Sequence, residues 1–264
     1  MAADRLIAFR RKRPEELETM TRAGRILAEC LDHVASQVAP GVTTQQLDTV
    51  AETFIRDHGC VPSFLGYNGF PKSICISVNE ECVHGMPGAR VITEGDLVCL
   101  DCGVILEGWQ ADAGMTVACG AVDEESRRLL DVTYGALQRG IAAAQPGNRI
   151  GDIGAAISAY VVAAGFSLLH DHCGHGIGRR MHEPPEVPNY GTPGRGNELK
   201  PGLVLAIEPI VNAGTGDYRI LGDGWTVVTA DGRRSAYWEH TVAITEDGPR
   251  VLTLRGAERT AALV

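Results

Sequence analysis

The chain has 264 residues, 44% of them hydrophobic, enough for one sizeable core or one domain made of two similar halves. A net charge of −9 argues against a DNA partner, and the longest apolar run, over 157–169, is too short to span a bilayer. Met1-Ala-Ala-Asp-Arg has no apolar stretch of a secretion signal, so the eight cysteines, mostly in apolar segments, read as reduced thiols of a cytoplasmic protein.

Residues 1–13 read as an N-terminal tail. Its basic run, Arg10-Arg11-Lys12-Arg13, reads as solvated, with contact to RNA or a ribosomal surface as the second reading. Pro14-Glu15-Glu16 opens a helix, because proline suits the first turn and acids complement the positive end of the helix dipole. Met20, Ala23, Leu27, Leu31 and Val34 follow at helical spacing until Pro40-Gly41 breaks it. Thr44 is the expected cap of a second helix, with Leu47, Val50, Phe54 and Ile55 inward and Gly59 at its end. Strands are expected over 72–78 and 96–105. The second turns at Leu106-Glu107-Gly108 into a partner strand that passes Asp112 and runs on through Met115. Cys99-x-x-Cys102 lies in the first strand of this hairpin; thiols three apart there face opposite ways, which excludes a zinc knuckle.

The order then repeats: a helix over 124–144, a break at Pro146-Gly147, and a helix capped by Asp152 and ended by Gly165. Shifted by 106 positions, Pro40 falls on Pro146, Gly41 on Gly147, Phe54 on Tyr160 and Gly59 on Gly165; with one more residue inserted, Asp101 falls on Glu208. This predicts one α+β domain over 14–264, built from two halves related by a pseudo-two-fold axis, with Asp101 and Glu208 as mates.

A carboxylate inside an apolar strand is costly unless it is paired or holds a metal. Asp101 and Asp112, on neighbouring strands, would repel each other so that one held a proton, a conflict that a divalent cation between them removes. The plain alternative is two aspartates near a turn, facing water. His175 stands between glycines in Cys173-Gly-His-Gly-Ile-Gly178, which is no dinucleotide loop because position 179 is Arg. His182, Glu208 before Pro209, and His84 beside a turn add candidates. In Glu239-His240 adjacent strand residues face opposite ways, so only one can be a ligand, and Glu239 is chosen. Taken singly, each is an ordinary turn or strand-end residue. Together, several carboxylates and one histidine without thiolate suit manganese, iron, cobalt or zinc in a two-metal hydrolytic site.

With these residues the chain resembles the type I methionine aminopeptidases, on Gly66-Tyr-Asn-Gly-Phe-Pro-Lys-Ser-Ile-Cys75, Asn79-Glu-Glu-Cys-Val-His84-Gly-Met-Pro, the Asp101/Asp112 pair, Gly174-His175-Gly-Ile-Gly, Met181-His182-Glu-Pro-Pro, Ile207-Glu208-Pro and Glu239-His-Thr. The resemblance implies a pita-bread fold, with a central antiparallel sheet covered by helices. It implies two divalent ions (cobalt, manganese, iron, zinc or nickel) bridged by Asp112 and Glu239, with Asp101 completing one shell and His175 and Glu208 the other. A water bridging the ions would be the nucleophile and Glu208 a proton shuttle; His182 would bind the scissile carbonyl and His84 the peptide nitrogen. The substrate would be the N-terminal methionine of peptides and nascent chains with a small second residue, its side chain bound by Phe64, Tyr67, Phe70, Cys75, Met181 and Trp225. The family more often has an aromatic residue at position 181 and, in some members, tyrosine at 70. Many members hold a monovalent cation near the segments of Asn79 and Ser235. A monomer is the default.

Only 25 residues lie between His182 and Glu208, whereas type II enzymes carry a helical insertion there. Two rival readings are a proline-directed peptidase of the same fold, for whose usual N-terminal domain the residues before the first helix leave no room, and a non-catalytic binding protein, which would be expected to lose ligands.

Overall fold

The computed structural model describes residues 9–261. The start of the chain, including the segment read as lacking a secretion signal, lies outside them.

Helix α1 (Pro14–Ala35) begins at its proline, with Glu16 folded back to accept the Arg13 N–H at 2.9 Å. Helix α2 (Thr44–Asp57) differs from expectation by one residue. Thr43, not Thr44, caps it: its hydroxyl accepts the Gln46 N–H and the Gln46 side chain returns to Thr43 N. Thr44 is instead drawn inward, where its hydroxyl bonds Gly88 O. Helices α3 (Glu124–Ala143) and α4 (Ile150–Ala163) repeat the pair. Asp152, expected as the cap of α4, lies inside its first turn and accepts the N–H of the actual cap residue, Arg149, at 2.7 Å. A short α5 (Gly256–Ala261) follows the last strand. Among the described residues no helix is long and apolar enough to cross a membrane.

The strands are β1 (Val61–Pro62), β2 (Ile74–Val78), β3 (Glu81–Val83), β4 (Leu97–Leu106), β5 (Trp109–Ala118), β6 (Ser167–Leu168), β7 (Cys173–Gly176), β8 (Glu183–Pro188), β9 (Val204–Ile207), β10 (Ile210–Asn212), β11 (Tyr218–Ile220), β12 (Val227–Thr229), β13 (Ser235–Tyr237), β14 (Glu239–Thr245) and β15 (Gly248–Val251). Nine of them form one sheet in the order β1-β4-β5-β14-β9-β7-β8, with β2 added on β4 and β15 on β14; all of its pairings are antiparallel. The β4–β5 turn has positive φ at both Glu107 and Gly108, which suits the right-handed twist of a tight hairpin.

Each helix pair covers its own end of this sheet. Leu27, Leu47, Ile74 and Leu100 belong to one core, and Leu137, Ile157, Leu205 and Val242 to a second; Trp238 packs against both. The two-half arrangement expected from the repeat therefore places the seam at β5 and β14.

The basic run is not solvated throughout. Lys12 is buried, its backbone N–H bonds Gly202 O, and its ammonium reaches Glu183 at 3.0 Å. Burial lowers the Lys12 pKa, opposed by the charge of Glu183. Arg10 and Arg179 both lie over the Trp109 ring. A sequence reading by charge misses this because the lysine stem is apolar and its partner is 171 residues away.

Candidate functional site

Register brings the candidates together. Across β4 and β5, Asp101 faces Gly114 and Gly103 faces Asp112; across β5 and β14, Gly114 pairs with Glu239. Ala206 of β9 pairs with both Thr241 and His175, and Glu208 follows directly after that strand. Five side chains spread over about half the chain thus meet on adjacent strands at the seam.

Asp101, Asp112, His175 and Glu239 are buried, and the Glu208 side chain is nearly so. Ligand atoms of Asp112, His175 and Glu239 lie within 4.8 Å of one another. The His175 Nδ1 sits 3.0 Å from Gly176 O, so that nitrogen carries the proton. Its Nε2 then presents a lone pair to Glu208 Oε1 at 3.6 Å and Asp112 Oδ2 at 3.9 Å. Burial, then the nearby His182, lowers the His175 pKa to about 4, so the contacts are not ion pairs. A lone pair facing carboxylates is repulsive unless a proton or a cation lies between them.

The carboxylates tell the same story. Burial raises Asp101 to about 7. Burial and then the neighbouring negative charges push Asp112, Glu208 and Glu239 well above the usual range. Asp101 Oδ1, Asp112 Oδ1 and Glu239 Oε1 are buried without a hydrogen-bond partner in the protein. Orphaned buried oxygens of this kind are rare in folded proteins and here converge. An all-oxygen and single-imidazole donor set of this charge fits a divalent cation.

Above the carboxylates opens a cavity of about 320 Å³. Every residue expected to bind the methionine side chain lines it: Phe64, Tyr67, Phe70, Cys75, Met181 and Trp225. Phe70 and Trp225 meet edge to face at 5.1 Å between ring centres. His84 and His182 also line it. His84 has φ +56°, a strained conformation for a non-glycine residue and one that concentrates at functional sites. Burial, then His172 and His182, lowers its pKa to about 4. His182 is lowered by burial as well, and its Nδ1 lies 2.7 Å from the Tyr67 hydroxyl. Asn79 and Ser235 do not line the cavity; they meet each other, with Ser235 N donating to Asn79 O at 2.8 Å.

Sequence reasoning missed several residues. Tyr237 donates its hydroxyl to Glu239 Oε2 at 2.6 Å. Gly114 makes room for that ring, since a Cβ there would collide with it. Thr241 ties β14 to β5 through both Asp112 N and Asp112 O. The signal was available for Tyr237: it lies two positions before Glu239 and so shares its strand face. For Gly114 no local signal exists. Asp171, His172 and Cys173 at the cavity wall were also not anticipated as lining residues. His240 faces away from the cluster, bonded to Thr253 and Glu258.

Comparison with known proteins places these features. The profile of metallopeptidase family M24 matches residues 18–246. The chain is 51% identical over 243 residues to a methionine aminopeptidase of Clostridium perfringens, covering 92% of this chain and 98% of that one. It superposes on a crystal structure of methionine aminopeptidase from Rickettsia prowazekii with a TM-score of 0.92 and 41% identity, covering 93% of this chain and 100% of that one. An Xaa-Pro dipeptidase from Bacillus anthracis shares the fold at a TM-score of 0.76 and 23% identity, over 92% of this chain and 61% of that one.

Proposed function

The chain belongs to metallopeptidase family M24, among its type I methionine aminopeptidases, and from that premise we propose that it removes the N-terminal methionine from peptides and nascent chains whose second residue is small. One observation carries the reading: Asp101, Asp112, Glu208 and His175 line an apolar cavity, Glu239 has a ligand atom within 4.8 Å of those of Asp112 and His175, and three carboxylate oxygens are left unpartnered.

In this reading Asp101, Asp112, His175, Glu208 and Glu239 would hold two divalent ions, Asp112 and Glu239 serving both, Asp101 serving one, and His175 and Glu208 the other. Divalent ions there supply Lewis-acid polarisation and activation of water for hydrolysis. The protein's own groups do the rest. In this reading the Tyr67 hydroxyl, 2.7 Å from His182 Nδ1, donates to it and leaves the proton on Nε2, from which the ring, its pKa lowered by burial, donates to the scissile carbonyl oxygen as charge develops there. His84, also held neutral by burial, steadies the peptide nitrogen. Glu208, which lines the cavity within 3.6 Å of His175 Nε2, passes a proton to the leaving amine. The substrate's α-amine binds beside Asp101, which limits release to one residue because an internal peptide has no amine to place there. The apolar lining takes the thioether chain.

The reading extends to cobalt, manganese, iron, zinc or nickel as the metal, a monovalent cation near Asn79 and Ser235, and a monomeric cytoplasmic enzyme of protein maturation. Free cysteines throughout, seven of the eight buried, support a reducing compartment. A transient ribosome contact would fall to Arg11 and Arg13, whose side chains stay exposed.

The test is methionine release from Met-Ala-Ser by metal-stripped protein reloaded with each metal in turn, beside Met-Leu and Xaa-Pro peptides. Fast release from Met-Ala-Ser alone is expected. Preference for Xaa-Pro, or equal rates on Met-Ala and Met-Leu, would overturn the assignment.

A further inference from the structure

We propose that Gly103 sets the depth of the pocket for the methionine side chain: the place a side chain would take there is filled by the Met181 thioether and the Phe64 ring. This rests on the reading of the cavity as that pocket.

Gly103 lies two residues after Asp101 in β4 and so shares its face of the strand. A Cβ built on it would lie 2.9 Å from Met181 Cε, 2.9 Å from Ser63 Cβ and 3.1 Å from Phe64 Cε1. Its φ is not positive, so no backbone conformation demands glycine. Glycine also weakens the interior of a strand. The remaining reason for it is room.

The three neighbours differ in how they can yield. Ser63 is pinned, because its N–H bonds Gly103 O at 2.9 Å. Phe64 follows it directly and has a rigid ring. Met181 has an unbranched chain with rotatable bonds out to the clashing methyl. It is otherwise packed in one buried cluster with Met20, Trp109 and Ile177, and the open space beside it is the cavity. A side chain at 103 is therefore accommodated by Met181 turning into the cavity, which removes the room that the far end of a methionine would use.

The experiment compares kcat/KM on Xaa-Ala-Ser peptides in which the first residue is methionine, norleucine or norvaline. The proteins are wild type, Gly103→Ala, Met181→Ala and the double variant, each with melting temperature and metal content measured. One methylene in an apolar pocket changes rates by about 10- to 200-fold. Gly103→Ala should lose about tenfold or more on methionine and norleucine, chiefly through KM, and about twofold or less on norvaline, at unchanged metal content. The double variant, with the methyl removed from the notch, should regain most of the loss. Should Gly103→Ala alone not fold, the double variant must still fold and must still favour methionine over norvaline. Equal losses on all three substrates, or no loss at all, with Met181→Ala altering the ratios, overturn the role of Gly103 and leave the pocket standing. Ratios indifferent to both positions overturn the pocket assignment together with the proposal.

Discussion

Two buried polar clusters lie back to back on β14, one residue apart, and they differ in whether their hydrogen bonds close. On the cavity side Glu239 joins Asp101, Asp112, His175 and Glu208, with three carboxylate oxygens unpartnered and all four acids raised in pKa. On the other side His240 bonds Thr253 through Nδ1 and Glu258 through Nε2, while Arg255 grips both Glu258 oxygens and lies over Trp238. The closed cluster is what a fold builds to tie its last helix down. The open one is a standing cost that a fold keeps only where something else is meant to bind.

The contrast breaks first at Asp101. Asp101→Asn should lower turnover by at least about 10³-fold and reduce bound metal, yet leave the melting temperature of the metal-free protein unchanged or raised, because one like charge has gone. A large drop in melting temperature would mean the open cluster is structural after all. Next, His182→Ala should lower kcat by about 10²-fold at normal metal content, as expected for loss of one transition-state donor; unchanged kcat would remove it from the reaction.

On the closed side the signs invert. Glu258→Ala should cost about 3 kcal/mol of stability in urea unfolding, the scale for breaking a buried pair, while kcat of the folded enzyme at low temperature stays within about threefold. A selective loss of kcat instead would couple the two faces. The smallest expected effect is on pH. Burial pushes Glu258 upward, but hydrogen bonds from His240 and Arg255 outweigh it and hold the carboxyl below its usual range. A lowered folded pKa gives stability that is present above the ordinary glutamate value, about 4.3, and is lost as pH falls below it. The melting-temperature gap between wild type and Glu258→Gln should therefore narrow from pH 6 to pH 3; a constant gap would show that the pairing is not ionic.

The chain by itself determined what rests on short spans. Proline and acids opened α1, the Pro-Gly breaks separated each helix pair, and period-two alternation put Glu239 and His240 on opposite faces. The order of these signals, recurring after 106 positions, disclosed the two halves and the match of Asp101 to Glu208. Neighbouring caps were less legible: Thr43 and Thr44 both offer a hydroxyl, and only the pull of Gly88 O on Thr44 decides between them. Tertiary structure alone decided the rest. Lys12 is buried because Glu183 waits far along the chain, and Gly114 and Gly103 are empty because Tyr237, Met181 and Phe64 arrive from elsewhere. Local pattern records which way a side chain points; it holds no record of what will come to stand opposite it.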